Sequence, residues 1–162
     1  MKSRKKILLA ILIALAVSLA LPVAYSPWTP VTFFIMARRA NQLRVELLCK
    51  TDFHALLAAC RELSKRAAEG DIKPGTYDVR GGSRAPEASR FPQAILDLSP
   101  SYVYIDENNS GRVMLEMIGG LGHFGVRGYT ENYKKASGEK YGDKELIPGL
   151  WYYDDNYVGL AV

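Results

Sequence analysis

The chain is short of the residues that most directly announce chemistry. Of 162 residues only two are histidine and two are cysteine. His54 and His123 stand too far apart to make a zinc signature, no serine or cysteine sits in a nucleophile motif, and no cofactor motif is present. In one helix Cys49 and Cys60 would lie about 17 Å apart, and in a hairpin turning near Thr51 their heights would still differ by several ångströms; buried free thiols are expected in preference to a bridge. Neither cysteine lies near the N-terminal apolar run, which excludes lipoprotein processing. The glycine-rich run GGLGHFG at residues 119–125 lacks the lysine and the strand-to-helix setting of a phosphate loop, so its glycines suit a tight turn and a twisted strand. Internal repeats and low-complexity tracts are missing too. With 48% hydrophobic and 10% aromatic residues, the composition is that of a folded chain.

Acidic residues are in slight deficit, 17 against 21 basic ones, for a formal charge of +4. Lys2, Arg4, Lys5 and Lys6 account for the whole excess, and the remainder balances. No basic face is left over for a folded domain to present, which argues against nucleic acid as a partner.

What is present begins with residues 7–25, ILLAILIALAVSLALPVAY, nineteen residues without a charge. As a helix this run reaches about 28 Å, close to the hydrocarbon thickness of a bilayer. The cations before it orient the N-terminus to the cytoplasm. Residues 7–21 also fit the apolar core of a cleaved signal, with Pro22 as the helix breaker. However, Ala24-x-Ser26 would set Pro27 just past the cut, and Ser18-x-Ala20 lies inside the run. Tyr25 and Trp28 suit the aromatic band at a membrane surface. The expectation is an uncleaved single-pass anchor over residues 1–28 in a cell membrane, with residues 29–162 as one extracytoplasmic domain; secretion after cleavage is the alternative.

The fold class expected is α+β: the transmembrane helix, two amphipathic helices, then a small antiparallel sheet of roughly three to five strands. Thr29-Pro30 opens the first amphipathic helix, with an apolar seam of Phe33, Met36, Ala40, Leu43 and Leu47. Asp52 caps a second, with Phe53, Leu56, Leu57, Cys60, Leu63 and Ala67 inward until Gly70. Residues 71–91 read as a loop with one short strand at 77–79. Pro92 opens a helical turn through Ile95 and Leu98, closed by Ser99-Pro100. Strands follow at 102–106, 112–118, 123–129, 151–153 and 157–162.

A four-residue loop at 119–122 pairs Ile118 with His123, Met117 with Phe124, Glu116 with Gly125, Leu115 with Val126 and Met114 with Arg127. Val113, Leu115, Met117, Phe124 and Val126 then share a core face. Glu116, His123 and Arg127 share the other, where they can bind an anionic or sugar ligand or orient His123 as a general base; a solvated charge cluster has the same pattern. Trp151, Tyr152, Tyr153 and Tyr157, beside Asp154 and Asp155, offer aromatic faces for a glycan or peptide, with Trp151 and Tyr153 as the candidate contacts. His54 reads as a surface or packing residue. Asp106-x-Asn108-x-Ser110-Gly111 copies the first half of a calcium loop, but Met117 takes the place of the bidentate glutamate, and no metal is expected.

The apolar N-terminal helix, helical continuation and small antiparallel sheet are similar in architecture to type IV pilin-like subunits. The family's glycine before the cut and glutamate five residues into the helix are missing here: Lys6 precedes an apolar run without an acid. Pro92-x-x-Ile95-x-x-Leu98-x-Pro100 followed by Tyr-Val-Tyr-Ile-Asp resembles small bacterial envelope proteins. The function expected is a membrane-anchored extracytoplasmic binding module, non-enzymatic, for an envelope protein or glycan. The alternatives are a small hydrolase using His123 with Glu116 and Arg127, and a pilin-like filament subunit.

Overall fold

The computed structural model describes residues 30–106, 111–118, 122–130 and 143–155. The expected anchor at residues 7–25, the last strand at 157–162, and both Asn108 and Ser110 of the half calcium loop lie outside these. Three α-helices, α1 (Pro30–Lys50), α2 (Phe53–Ala68) and α3 (Gln93–Leu98), accompany six strands: β1 (Gly75–Asp78), β2 (Tyr102–Ile105), β3 (Val113–Ile118), β4 (His123–Gly128), β5 (Lys144–Ile147) and β6 (Leu150–Asp154). The class is α+β. All strand pairs are antiparallel, in the order β1-β2-β3-β4-β6-β5.

Six strands are one more than the upper expectation. The strand that pattern reading misses is β5, whose Lys-Glu-Leu-Ile sequence has little β propensity and no alternation. It sits at the sheet edge with Lys144 and Glu145 exposed, where charge discourages a further strand from adding. The β3–β4 register is the expected one at every pair from Met114↔Arg127 to Ile118↔His123.

Alternation then sorts the sheet into two faces. Val103, Ile105, Val113, Leu115, Met117, Phe124, Val126, Leu150 and Tyr152 are buried on one side with Leu56, Leu57, Cys60 and Leu63 of α2 and Ile95 and Leu96 of α3. The Asp52 carboxylate caps α2, accepting from the backbone N–H groups of His54 and Ala55 at 3.0 Å. The sheet comes so close to α2 that a Cβ at Gly128 would stand 2.5 Å from Cys60 Cβ. At Gly125 it would stand 1.9 Å from the Leu115 carbonyl oxygen. Both positions require glycine for lack of space.

The α1 seam is corrected by the structure. Ala40 and Leu47 are buried and Leu43 packs at the margin of the core, but Phe33 (54% exposed) and Met36 (43%) are not covered. Helical periodicity continues past the point where the sheet beneath it ends. Below that point α1 is held by a charge as well as by grease. Arg44 Nε and Nη2 donate to Asp154 Oδ2 (2.7 Å) and Oδ1 (3.2 Å), the Tyr152 hydroxyl donates to Oδ2 (2.8 Å), and the guanidinium lies 4.4 Å over the Phe124 ring. The hydrogen bond to Asp154 raises the Arg44 pKa against the opposing effect of burial.

The cysteines are both free, as expected, but only Cys60 is buried; Cys49 is exposed. Burial pushes the Cys60 thiol up to about 12. A thiol-specific reagent should therefore modify one cysteine per native chain, Cys49, and the second only after denaturation. Arg44→Leu should cost about 2–4 kcal/mol in urea unfolding because it strands a buried carboxylate. Adding Asp154→Asn should recover half or more of that loss, since an uncharged amide still accepts the Tyr152 hydroxyl. Gly128→Ala should cost about 1–3 kcal/mol in the same measurement.

Candidate functional site: the outer face of the sheet

The face turned away from the helices carries two rows of cross-strand neighbours. Register places Asp78, Tyr102, Glu116, Gly125 and Tyr153 in one row and Thr76, Tyr104, Met114, Arg127, Trp151 and Glu145 in the next. All five residues singled out from the sequence, Glu116, His123, Arg127, Trp151 and Tyr153, are on this face. The structure does not join them into one cluster.

Glu116 and His123 meet. His123 Nδ1 lies 2.5 Å from Glu116 Oε1, with side-chain exposures of 63% and 20%. A carboxylate only accepts, so Nδ1 is the donor in this contact, which leaves Nε2 outside it. Arg127 turns elsewhere. Its Nη1 donates to Asp143 Oδ2 at 2.5 Å, and its guanidinium lies 4.4 Å over the Tyr153 ring. With side chains only 18% and 5% exposed, Arg127 and Asp143 are largely withdrawn from water. The expected anion site thus has its guanidinium already paired.

Tyr153 is the inner member of the group. It stands opposite Gly125, and a Cβ there would come within 3.1 Å of its hydroxyl. The residue is 4% exposed, and its hydroxyl has no hydrogen-bond partner among the described residues. Burial raises its pKa, and the negative charge of Glu116 raises it further. Trp151, opposite Arg127, is half-buried.

Sequence reading missed the other half of this face. Tyr102 and Tyr104 are half-exposed, with Arg80 stacked 5.5 Å over the first and Arg112 6.0 Å over the second. Arg80 is also paired with Asp78, whose pKa its hydrogen bond lowers. Arg112 is held at 3.0 Å by Asp106. The signal for these residues was the alternation Tyr-Val-Tyr-Ile, which commits both tyrosines to one face once Val103 and Ile105 are core.

Asp106 is thereby engaged by an arginine, and Met117 of the half calcium loop lies in the core at 1% exposure. Among the described residues no three His, Cys, Asp or Glu side chains gather as a metal site. His54 is exposed on α2. Two clefts open on the helical side. One, of about 370 Å³, has Leu43, Ala94, Leu98 and Met117 among its walls; the other, of about 680 Å³, runs along the outside of α1 past Phe34, Arg38 and Val45. Neither is lined by Glu116 or His123.

Tyr153→Phe should leave stability unchanged within about 0.5 kcal/mol or raise it, because the hydroxyl it removes is buried without a partner. A loss above about 1 kcal/mol in urea unfolding would show that the hydroxyl is bonded in solution. No family model, curated protein or solved structure matches the chain.

Proposed function

We propose that the protein is a membrane-anchored, extracytoplasmic binding module of a bacterial-type cell envelope, and that the outer face of its sheet takes a partner protein. The observation that carries this reading is the composition of that face: three arginine–aromatic stacks and a half-exposed tryptophan on a sheet whose described helices lie behind it. Arginine, tyrosine and tryptophan dominate association energies, since each offers a large planar surface at small entropic cost. Stacking and ion pairing hold three of these arginines in place before any partner arrives, which reduces the ordering cost of association. The anchor rests on the uncharged residues 7–25 and the four cations before them. An envelope glycan stacking on the same rings is the competing occupant.

The test uses the full chain in intact cells. A photo-crosslinking side chain at Tyr104 should give a protein adduct, whereas the same group at Ala58, exposed on α2, should not. Trp151→Ala should reduce the Tyr104 adduct by about tenfold if the tryptophan is a central contact. Adducts equal at both positions, or a carbohydrate adduct at Tyr104, would overturn the protein-partner reading. Protease added outside cells stripped of their outer layers should digest the body, and protection there would overturn the topology.

One observation favours a second, hydrolytic reading: the 2.5 Å contact that leaves His123 Nε2 as an available base. His123→Ala separates the two. It should leave the Tyr104 adduct nearly intact if the face is a binding surface, and abolish turnover if the histidine is a base.

A further inference from the structure

Every large hydrophobic side chain that is exposed among the described residues belongs to α1. Five of the seven fall within six positions: Val31 (66% exposed), Phe33 (54%), Phe34 (67%), Ile35 (58%) and Met36 (43%). No residue of α1 before Ala40 is buried. The first turns of the helix therefore carry large apolar side chains that the described residues leave about half exposed or more.

We propose that residues 31–36 of α1 lie in the surface of a lipid bilayer, with Arg38 and Arg39 at the level of the lipid phosphates, so that the body stands on the membrane. This deepens the anchored reading above and rests on it. Lipid is favoured as the occupant by the angular spread of the side chains. Successive helical residues advance by about 100°, so residues 33–36 alone point to all sides. A partner helix covers a stripe, whereas lipid covers a whole circumference.

A second copy of the chain is disfavoured by what the outer stripe holds. Phe34, Arg38, Asn41, Val45 and Leu48 recur at helical spacing, and a paired helix would bring Arg38 and Asn41 of one copy against those of the other. Charge agrees with lipid. The first acidic residue of the chain is Glu46, so Arg38 and Arg39, both exposed, face no carboxylate from their own or the preceding segment. Guanidinium groups at that position suit phosphate headgroups.

Length separates this segment from the anchor. Residues 7–36 in one helix would reach about 45 Å, well beyond a hydrocarbon core of about 30 Å. Pro27 and Pro30 fall between the two apolar runs, where each limits helix continuation. No helix among the described residues is long and apolar enough to cross a membrane. The second run thus has the length of an interfacial segment, buried about 5–10 Å into the boundary between headgroups and acyl chains.

The test uses the full-length protein carrying Cys49→Ser, reconstituted in vesicles of phosphatidylcholine and phosphatidylglycerol. A polarity-sensitive fluorophore is placed singly at Phe34→Cys, Ala14→Cys or Ala58→Cys, and quenched by lipids bearing a nitroxide near the headgroup. Phe34 is exposed, so its replacement should not disturb folding. Quenching at position 34 should exceed that at 58 by at least about twofold, with a blue-shifted emission. Strong quenching at 14 with position 34 behaving like 58 would overturn this inference and leave the anchor standing. No quenching at 14 or 34 would overturn both. A shielded label at 34 that lipid does not quench, and that self-quenches as protein per lipid rises, would assign the surface to a second copy and overturn the lipid assignment.

Discussion

A sheet that among the described residues carries helices on one face only has to keep strict register, and the β3–β4 hairpin is where this protein does so. Sliding β3 by a single residue would turn Leu115 and Met117 outward and drive Glu116 into the helices, and sliding β4 would do the same to Val126 and Arg127. The cost of burying those charges makes the observed pairing the only workable one. The rest follows from it: α2 can settle against Gly128 because that glycine lies on the inward side, and the outer face receives its polar and aromatic residues as the complement of the core.

Two arginines on opposite faces of the sheet solve a similar problem in a similar way. Arg44, on α1, stacks on Phe124 and pairs with Asp154; Arg127, on β4, stacks on Tyr153 and pairs with Asp143. In each case a planar cation lies on an aromatic ring and pairs with a mostly buried carboxylate, through two nitrogens for Arg44 and through Nη1 for Arg127. Such pairs contribute little net stability relative to apolar residues but penalise wrong arrangements heavily. They tie the C-terminal strands to α1 behind the sheet and to β4 in front of it. The same economy limits the chemistry of the outer face, which offers rings, an exposed imidazole and a carboxylate more readily than an unpaired cation.

α1 belongs to two environments. From Ala40 onward it is part of the body, with Leu47 and the Arg44 pair holding it to the sheet. From Val31 to Met36 its large apolar side chains are exposed, and among the described residues none is buried before Ala40. Because one continuous helix carries both parts, a surface that received the first turns would orient the sheet as well, and the outer face would be presented in a set direction.

Much of the fold was legible without coordinates, and for identifiable reasons. The hairpin register followed from loop length and period-two alternation, and α2 from its Asp52 cap and its stripe. Both are local patterns, and so is the proximity of Glu116 to His123, seven residues apart across one turn. What alternation and helical period cannot carry is where a neighbouring element stops. Phe33 and Met36 fit the α1 seam and yet have no sheet beneath them. Lys144 to Ile147 shows no strand pattern of its own and becomes a strand because β6 offers it an edge. The partners of Arg44 and Arg127 come from residues 110 and 16 positions away, and only the insertion of β6 beside β4 brings Asp154 and Asp143 within reach. Which residues face inward along each element is written in the local order of the chain, since side-chain direction is a property of the local backbone. Which charges find partners and which apolar surface stays open emerges only on packing, because both depend on the reach of elements that are distant in the chain.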